Sequence, residues 1–187
     1  MIRKTTRTTL PEYDSLVRKG VFDDIVGKIE LIRGEVIEVN PAGPVHDDYV
    51  TYLTNWSVMS RDPSKTYVTS QTGMELPKLD SRPEPDVFWV RKARYRSHHP
   101  LASDVQLAIE VADSSFENDL RVKRQMYAEA GVVEYWIVDC QSKCIHVFRN
   151  ASGTDYQSHS VLNSPAKLSP LIVPDAILDL QDLFDGE

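Results

Sequence analysis

The stretch from Val105 to Ala112 (Val-Gln-Leu-Ala-Ile-Glu-Val-Ala) is nearly continuously apolar. A strand of that kind sits at the centre of a sheet, buried on both faces. The next residues, Ser114-Ser115-Phe116-Glu117, have the pattern of a capping box and predict a helix that runs to Gly131. A second apolar strand follows, Glu134 to Asp139. Strand, crossover helix and strand in this order imply a parallel pair at the centre of the fold. The expectation is an α/β domain with a mixed β-sheet flanked by helices.

The rest of the chain builds around that unit. Thr9-Leu10-Pro11-Glu12 reads as a capping box opening a helix that ends at Gly20. Two short strands, about 28–33 and 35–39, join tightly at Arg33-Gly34. A helix is expected over about 45–60, with Tyr49, Tyr52, Leu53 and Trp56 on one face. Strands are expected near 66–71 and 73–77, followed by a proline-stiffened loop from Pro77 to Pro85 and a strand from Asp86 to Val90. Beyond Asp139 come a strand over Ile145 to Arg149, one or two more strands, and a short helix from Asp175 to Phe184. With no internal repeat and no linker, residues 1–187 read as one domain.

Charge narrows the partners. The net charge is −7, so nucleic acid would have to be met by a local basic patch and not by bulk attraction. Residues 151–187 carry −5 of it, one lysine against six acids, and the rest of the chain is near balance. No apolar run is long enough to span a bilayer, and the basic start through Arg7 lacks an apolar segment after it, which predicts a cytoplasmic protein. Cys140 and Cys144 flank an apparent hairpin turn with His146 and His159 nearby, but no second Cys/His pair completes four zinc ligands.

Glu110 is the most informative residue. Alternation puts Leu107, Ile109 and Val111 on one face and Ala108, Glu110 and Ala112 on the other, where small alanines leave room around the carboxylate. A lone buried carboxylate is costly unless it is paired or binds a metal; a structural ion pair or an exposed edge would account for it equally well. Asp86 stands at the mouth of another apolar strand, where a loop cap is the simpler explanation. Lys123 falls in an inward stripe with Leu120, Tyr127 and Ala130, and Asp119 lies one turn before it; a snorkelling lysine or a surface pair with Asp119 is the alternative. Together, two acids on neighbouring strands and a lysine on the next helix suit a divalent cation and a positioned water, and hard oxygen ligands favour Mg²⁺ or Mn²⁺.

The runs Lys28-Ile29-Glu30-Leu31-Ile32-Arg33-Gly34-Glu35-Val36, Glu84-Pro85-Asp86-Val87, Leu107-Ala108-Ile109-Glu110-Val111 and Gly131-Val132-Val133-Glu134-Tyr135-Trp136-Ile137-Val138-Asp139 resemble the Uma-two family, over roughly residues 10–185. That family belongs to the PD-(D/E)XK nuclease superfamily, so the resemblance implies a restriction-endonuclease-like core. The resemblance implies that Asp86 and Glu110 are metal ligands. It also implies that Lys123 replaces the motif lysine, since Ala112 stands where that lysine is usual. Glu35 would be the upstream acid, and His46 matches a family position. It implies a Mg²⁺-dependent endonuclease acting on DNA, and two-strand cutting would suit a homodimer. The alternative is a nucleic-acid- or protein-binding module that keeps the nuclease fold without efficient catalysis, which Ala112 favours. Phosphate contacts are expected from the basic loop carrying Arg91, Lys92, Arg94 and Arg96, and from Arg121 and Arg124 beside Lys123. There is no glycine-rich phosphate loop and no Gly-x-Ser-x-Gly elbow, which disfavours nucleotide hydrolysis and α/β-hydrolase chemistry.

Overall fold

The computed structural model describes residues 7–39 and 41–186. The basic start of the chain, residues 1–6, lies outside the described residues. Among them, no helix is long and apolar enough to cross a membrane.

Six strands form one mixed sheet: β3 (Thr66–Thr69), β4 (Val87–Arg91), β5 (Val105–Ala112), β6 (Glu134–Asp139), β7 (Cys144–Ser152) and β8 (Asp155–Asn163), in that order across the sheet. Only β5 and β6 are parallel; every other neighbouring pair is antiparallel. The apolar run of β5 is central, as its composition requires. Its two faces feed two cores. Leu107, Ile109 and Val111 pack with Tyr49, Val50 and Leu53 of α2 (Pro44–Ser60) and with Leu180, Leu183 and Phe184 of α5 (Leu180–Asp185). Ala108 and Ala112 pack with Met126, Tyr127 and Ala128 on the opposite side.

The crossover between β5 and β6 departs from a plain α-helix. It runs as α3 (Phe116–Asn118), a π-helical turn over Asp119–Lys123, and α4 (Arg124–Ala130), which Gly131 closes at φ 85°. The serine pattern at its start does not form a capping box. Ser115 caps no backbone amide; its hydroxyl donates to Asp119 Oδ2 at 2.6 Å. The wider π-helical turn places both Asp119 and Lys123 in the interior, the kind of local helix irregularity that accompanies functional sites.

The front of the molecule is an antiparallel hairpin of β1 (Lys28–Ile32) and β2 (Glu35–Val39), turning at Arg33 and Gly34 with φ of 49° and 80°. Positive φ at both central residues is the hairpin-compatible turn geometry, which glycine adopts without strain. α1 (Leu10–Arg18) seals the hairpin through Leu10, Tyr13 and Leu31, and its Thr9/Glu12 capping box forms as expected.

Two expected elements differ. Residues 73–77 make isolated bridges, Glu75 to Leu101 and Leu76 to Ser81, in place of a strand. The chain is turned at once by the 3₁₀ segment Pro77–Leu79, whose proline cannot donate to a ladder. The last helix begins at Leu180 and not at Asp175, because the Asp179 side chain accepts from the Gln181 amide and caps it there. The two-stranded pair β9 (Lys167–Leu168) and β10 (Leu178–Asp179) leads into it. The acidic C-terminal segment therefore lies against the same core as α2.

Candidate active site

Four elements bring charged side chains into one cavity of about 250 Å³. Asp86 precedes β4, in a loop stiffened by Pro83 and Pro85. The Gln71 amide donates to the Pro85 carbonyl at 3.1 Å and the Ser70 hydroxyl to the Asp86 carbonyl at 2.8 Å, which fixes the backbone there. Asp86 Oδ2 accepts from the Val111 amide of β5 at 2.8 Å and lies 3.4 Å from His46 Nε2 near the start of α2. Glu110 projects from β5 on the alanine face. Its Oε1 accepts from the Tyr127 hydroxyl at 2.7 Å and stands 3.0 Å from Lys123 Nζ. Glu30 of β1 approaches Lys123 from the hairpin side, 3.4 Å away, and its Oε1 also accepts from the Glu84 amide at 2.9 Å. Asp119 completes the ring around the ammonium at 3.9 Å, and its Oδ1 is buried with no hydrogen-bond partner among the described residues.

The electrostatics follow from burial against this many acids. Burial pushes the Glu110 carboxyl up to about 8; Lys123 opposes that, and Asp86, Asp119 and Glu30 reinforce it. Burial works against the Lys123 ammonium, yet Glu110, Glu30 and Asp119 outweigh it and hold its pKa well above the ordinary value. Burial also raises Asp119, against Lys123 and the Ser115 hydrogen bond. Asp86 goes the other way. Burial raises it, but the His46 hydrogen bond, the Lys28 charge and the Val111 amide together bring it below the ordinary carboxylate value. His46 is raised in turn, first by its hydrogen bond to Asp86. The balance thus favours the ionised form of Asp86, the protonated form of Glu110 and the ammonium of Lys123.

The donor set fits a hard cation. The hydrogen bonds and ion pairs of the two carboxylates fall on Oδ2 of Asp86 and Oε1 of Glu110. Both residues line the cavity, so the other oxygen of each is the one to offer a cation. Six carboxylates (Glu30, Glu38, Asp86, Glu110, Asp113 and Asp119) line the cavity against two lysines, Lys28 and Lys123. An anionic substrate would be repelled from such a surface unless a cation were present. A pair of carboxylates would suit Mg²⁺, which keeps several waters and takes one or two carboxylates.

Asp86, Glu110, Lys123, His46 and Asp119 therefore meet in one place. Glu35 does not. It is exposed at the turn end of β2 and does not line the cavity, whereas Glu30, opposite Ile37 in the hairpin, does. Glu30 was legible only as an acid ahead of the apolar Leu31 and Ile32. Tyr127, seen as a core residue, is the hydrogen-bond donor to Glu110.

The six basic residues expected at phosphates lie elsewhere. Arg91, Lys92, Arg94 and Arg96 are exposed at the other end of β4, where Val90 pairs with Val105, while Val87 pairs with Ile109 beside the cleft. That is roughly 15 Å of strand away. Arg121 is exposed and pairs with Glu117 at 3.0 Å; Arg124 faces Asp155 at 3.5 Å and packs over the Phe148 ring.

Among solved structures the chain is similar to a crystal structure of a "putative nuclease belonging to DUF820" from Anabaena variabilis. The TM-score is 0.78 at 16% identity, covering 95% of this chain and 98% of that one. The two share a fold. No curated protein matches the chain. The model of the family Uma2, described as "Putative restriction endonuclease", matches residues 12–181. With that match spanning most of its length, this chain belongs to the Uma2 family.

Proposed function

We propose that this protein is a nuclease of the PD-(D/E)XK kind that hydrolyses phosphodiester bonds of DNA with Mg²⁺ or Mn²⁺ held by Asp86 and Glu110. The observation that carries the reading is the convergence of Asp86, Glu110 and Lys123, from three successive elements, on one acid-lined cavity. When bound, such a cation neutralises charge on the phosphate and lowers the pKa of water beside it. The chain's own groups do the rest. Asp86, already ionised, offers its free oxygen while His46 and the Val111 amide fix its orientation. Glu110 would hold the cation through its carboxylate, which the Tyr127 hydroxyl keeps in orientation. Lys123 retains its proton, so it acts as a donor to the attacking water or to a phosphate oxygen and not as the base. Glu30, and not Glu35, is the upstream acid at the site, and it holds the ammonium from the far side.

A nicking assay on supercoiled plasmid tests this. Nicking should require Mg²⁺ or Mn²⁺, stop in EDTA, and disappear in Asp86→Asn and in Glu110→Gln. Nicking that persists in both variants would reject the site. The second reading, a nuclease fold used for binding alone, draws on Lys123 being tied into Glu110 and Glu30 and on Ala112 packing in the core. DNA binding without nicking in either metal would favour it.

A further inference from the structure

A second group of reactive side chains gathers at one end of β6, β7 and β8. Asp139 ends β6, Cys144 begins β7, and the two are antiparallel partners. His146 lies two residues on and so shares their face of the sheet. One ligand atom of each of Asp139, Cys144 and His146 lies within 4.8 Å of the other two, the single such trio among the described residues. The trio is held in place. Asp139 Oδ1 accepts from the amides of Gln141 and Ser142, both at 3.0 Å, which orients its carboxylate. His146 Nδ1 is 3.1 Å from His159 Nε2, the two rings stack, and Phe116 packs edge-on against His146. Asp139 and Cys144 are buried, His146 is half-buried and His159 is exposed, which gives a route in from solvent.

We propose that Asp139, Cys144 and His146 bind a borderline-soft divalent cation, Zn²⁺ foremost, at a site separate from the cleft of Asp86 and Glu110. Thiolate, imidazole and carboxylate are zinc's ordinary ligands, and three of them leave a fourth tetrahedral position for water. Sulfur and nitrogen donors select against Mg²⁺ and Mn²⁺, so the two sites take different ions. Cys144 gives its thiol proton to solvent as the sulfur–metal bond forms. His159 positions the His146 ring in the way that outer-shell partners orient metal-bound histidines. Sequence spacing alone suggested two cysteines and two histidines; the third ligand, Asp139, emerges only from the strand register.

The test is a Co²⁺ titration of the reduced, EDTA-stripped full chain. One equivalent should produce a thiolate-to-cobalt charge-transfer band and the visible bands of tetrahedral Co²⁺, and Zn²⁺ should displace it. Cys144→Ser should abolish the charge-transfer band, and His159→Gln should weaken Co²⁺ binding about 10- to 100-fold. His146→Gln, which keeps the thiol, should weaken it at least as much and stands in if Cys144→Ser does not fold. Cys140→Ser, Asp86→Asn and Glu110→Gln should all retain the band, and Cys144→Ser should still nick plasmid in Mg²⁺ if the wild-type chain does. No thiolate band at one equivalent overturns the proposal. So does a band that survives Cys144→Ser, one lost in Cys140→Ser, or Co²⁺ affinity unchanged in His146→Gln.

Discussion

Glu110→Gln should make the metal-free protein more stable than the parent, by a margin that grows with pH. In the fold burial pushes the Glu110 carboxyl up to about 8, against an ordinary value of 4.5. Between those two values the native state binds a proton that the unfolded chain releases, so stability falls as pH rises. The contribution is complete below about 4.5 and gone above about 8. Each pH unit in that window is worth about 1.4 kcal/mol. From pH 5.5 to 7.5 the parent therefore loses up to about 3 kcal/mol that the glutamine variant keeps. Coupling to Lys123 spreads the titration, so the expected widening is about 1–3 kcal/mol. Glutamine preserves the oxygen that accepts from Tyr127 and faces Lys123, so the two proteins should be close at pH 5.5. His46 also has a raised pKa, and its own loss of stability as pH rises is common to both proteins and largely cancels in the difference. The assay is urea denaturation in EDTA at pH 5.5, 6.5 and 7.5. A constant gap, or a variant that falls further behind as pH rises, would mean that Glu110 is ionised in the fold and is a stabilising partner of Lys123. Added Mg²⁺ should then raise the parent and leave the variant unchanged, since a ligand stabilises only the state that binds it.

Tyr127→Phe removes the buried donor to Glu110 and should cost about 1–3 kcal/mol in urea denaturation at pH 6; a neutral effect would show that the hydroxyl is not spending its hydrogen bond there. Lys123→Met leaves Glu30, Glu110 and Asp119 facing one another without their cation; cleavage should vanish and stability should fall by about 3–5 kcal/mol at pH 8, and retained cleavage would remove Lys123 from the reaction. Changing Arg91, Lys92, Arg94 and Arg96 together to alanine should flatten the plot of log DNA affinity against log salt by about 0.9 for each side chain that touched a phosphate, while an unchanged slope would mark the loop as solvated surface.

The centre of the fold was legible because a strand with a two-residue repeat sorts its own faces. Leu107, Ile109 and Val111 went to one core and Ala108 and Ala112 to the other, with Glu110 left among small residues. Helix limits set by local chemistry were legible too, at the Thr9/Glu12 capping box and at Gly131. Where a boundary depended on competing side-chain hydrogen bonds, local pattern misled. Ser115 bonds Asp119 in place of a backbone amide, and Asp179 caps a helix expected to start earlier.

The site divides along the same line. Glu110 and Lys123 stood out because each is a charged residue at a position that an apolar pattern assigns to the interior; Asp86, at the mouth of a strand, stood out only through the family resemblance. Which upstream acid faces them could not be read locally. Glu30 and Glu35 flank the same turn, and only the docking of the hairpin against β5 and α4 puts Glu30 against Lys123 and leaves Glu35 in solvent. The π-helical turn that carries both Asp119 and Lys123 inward likewise satisfies contacts with strands distant in sequence. The sequence by itself thus determined which strand is central, which face holds the charge and which residues pay to be buried there. The tertiary structure alone decided what surrounds that charge, because the balance of burial against neighbouring acids is a sum over groups that meet only when the sheet, helix and hairpin have closed.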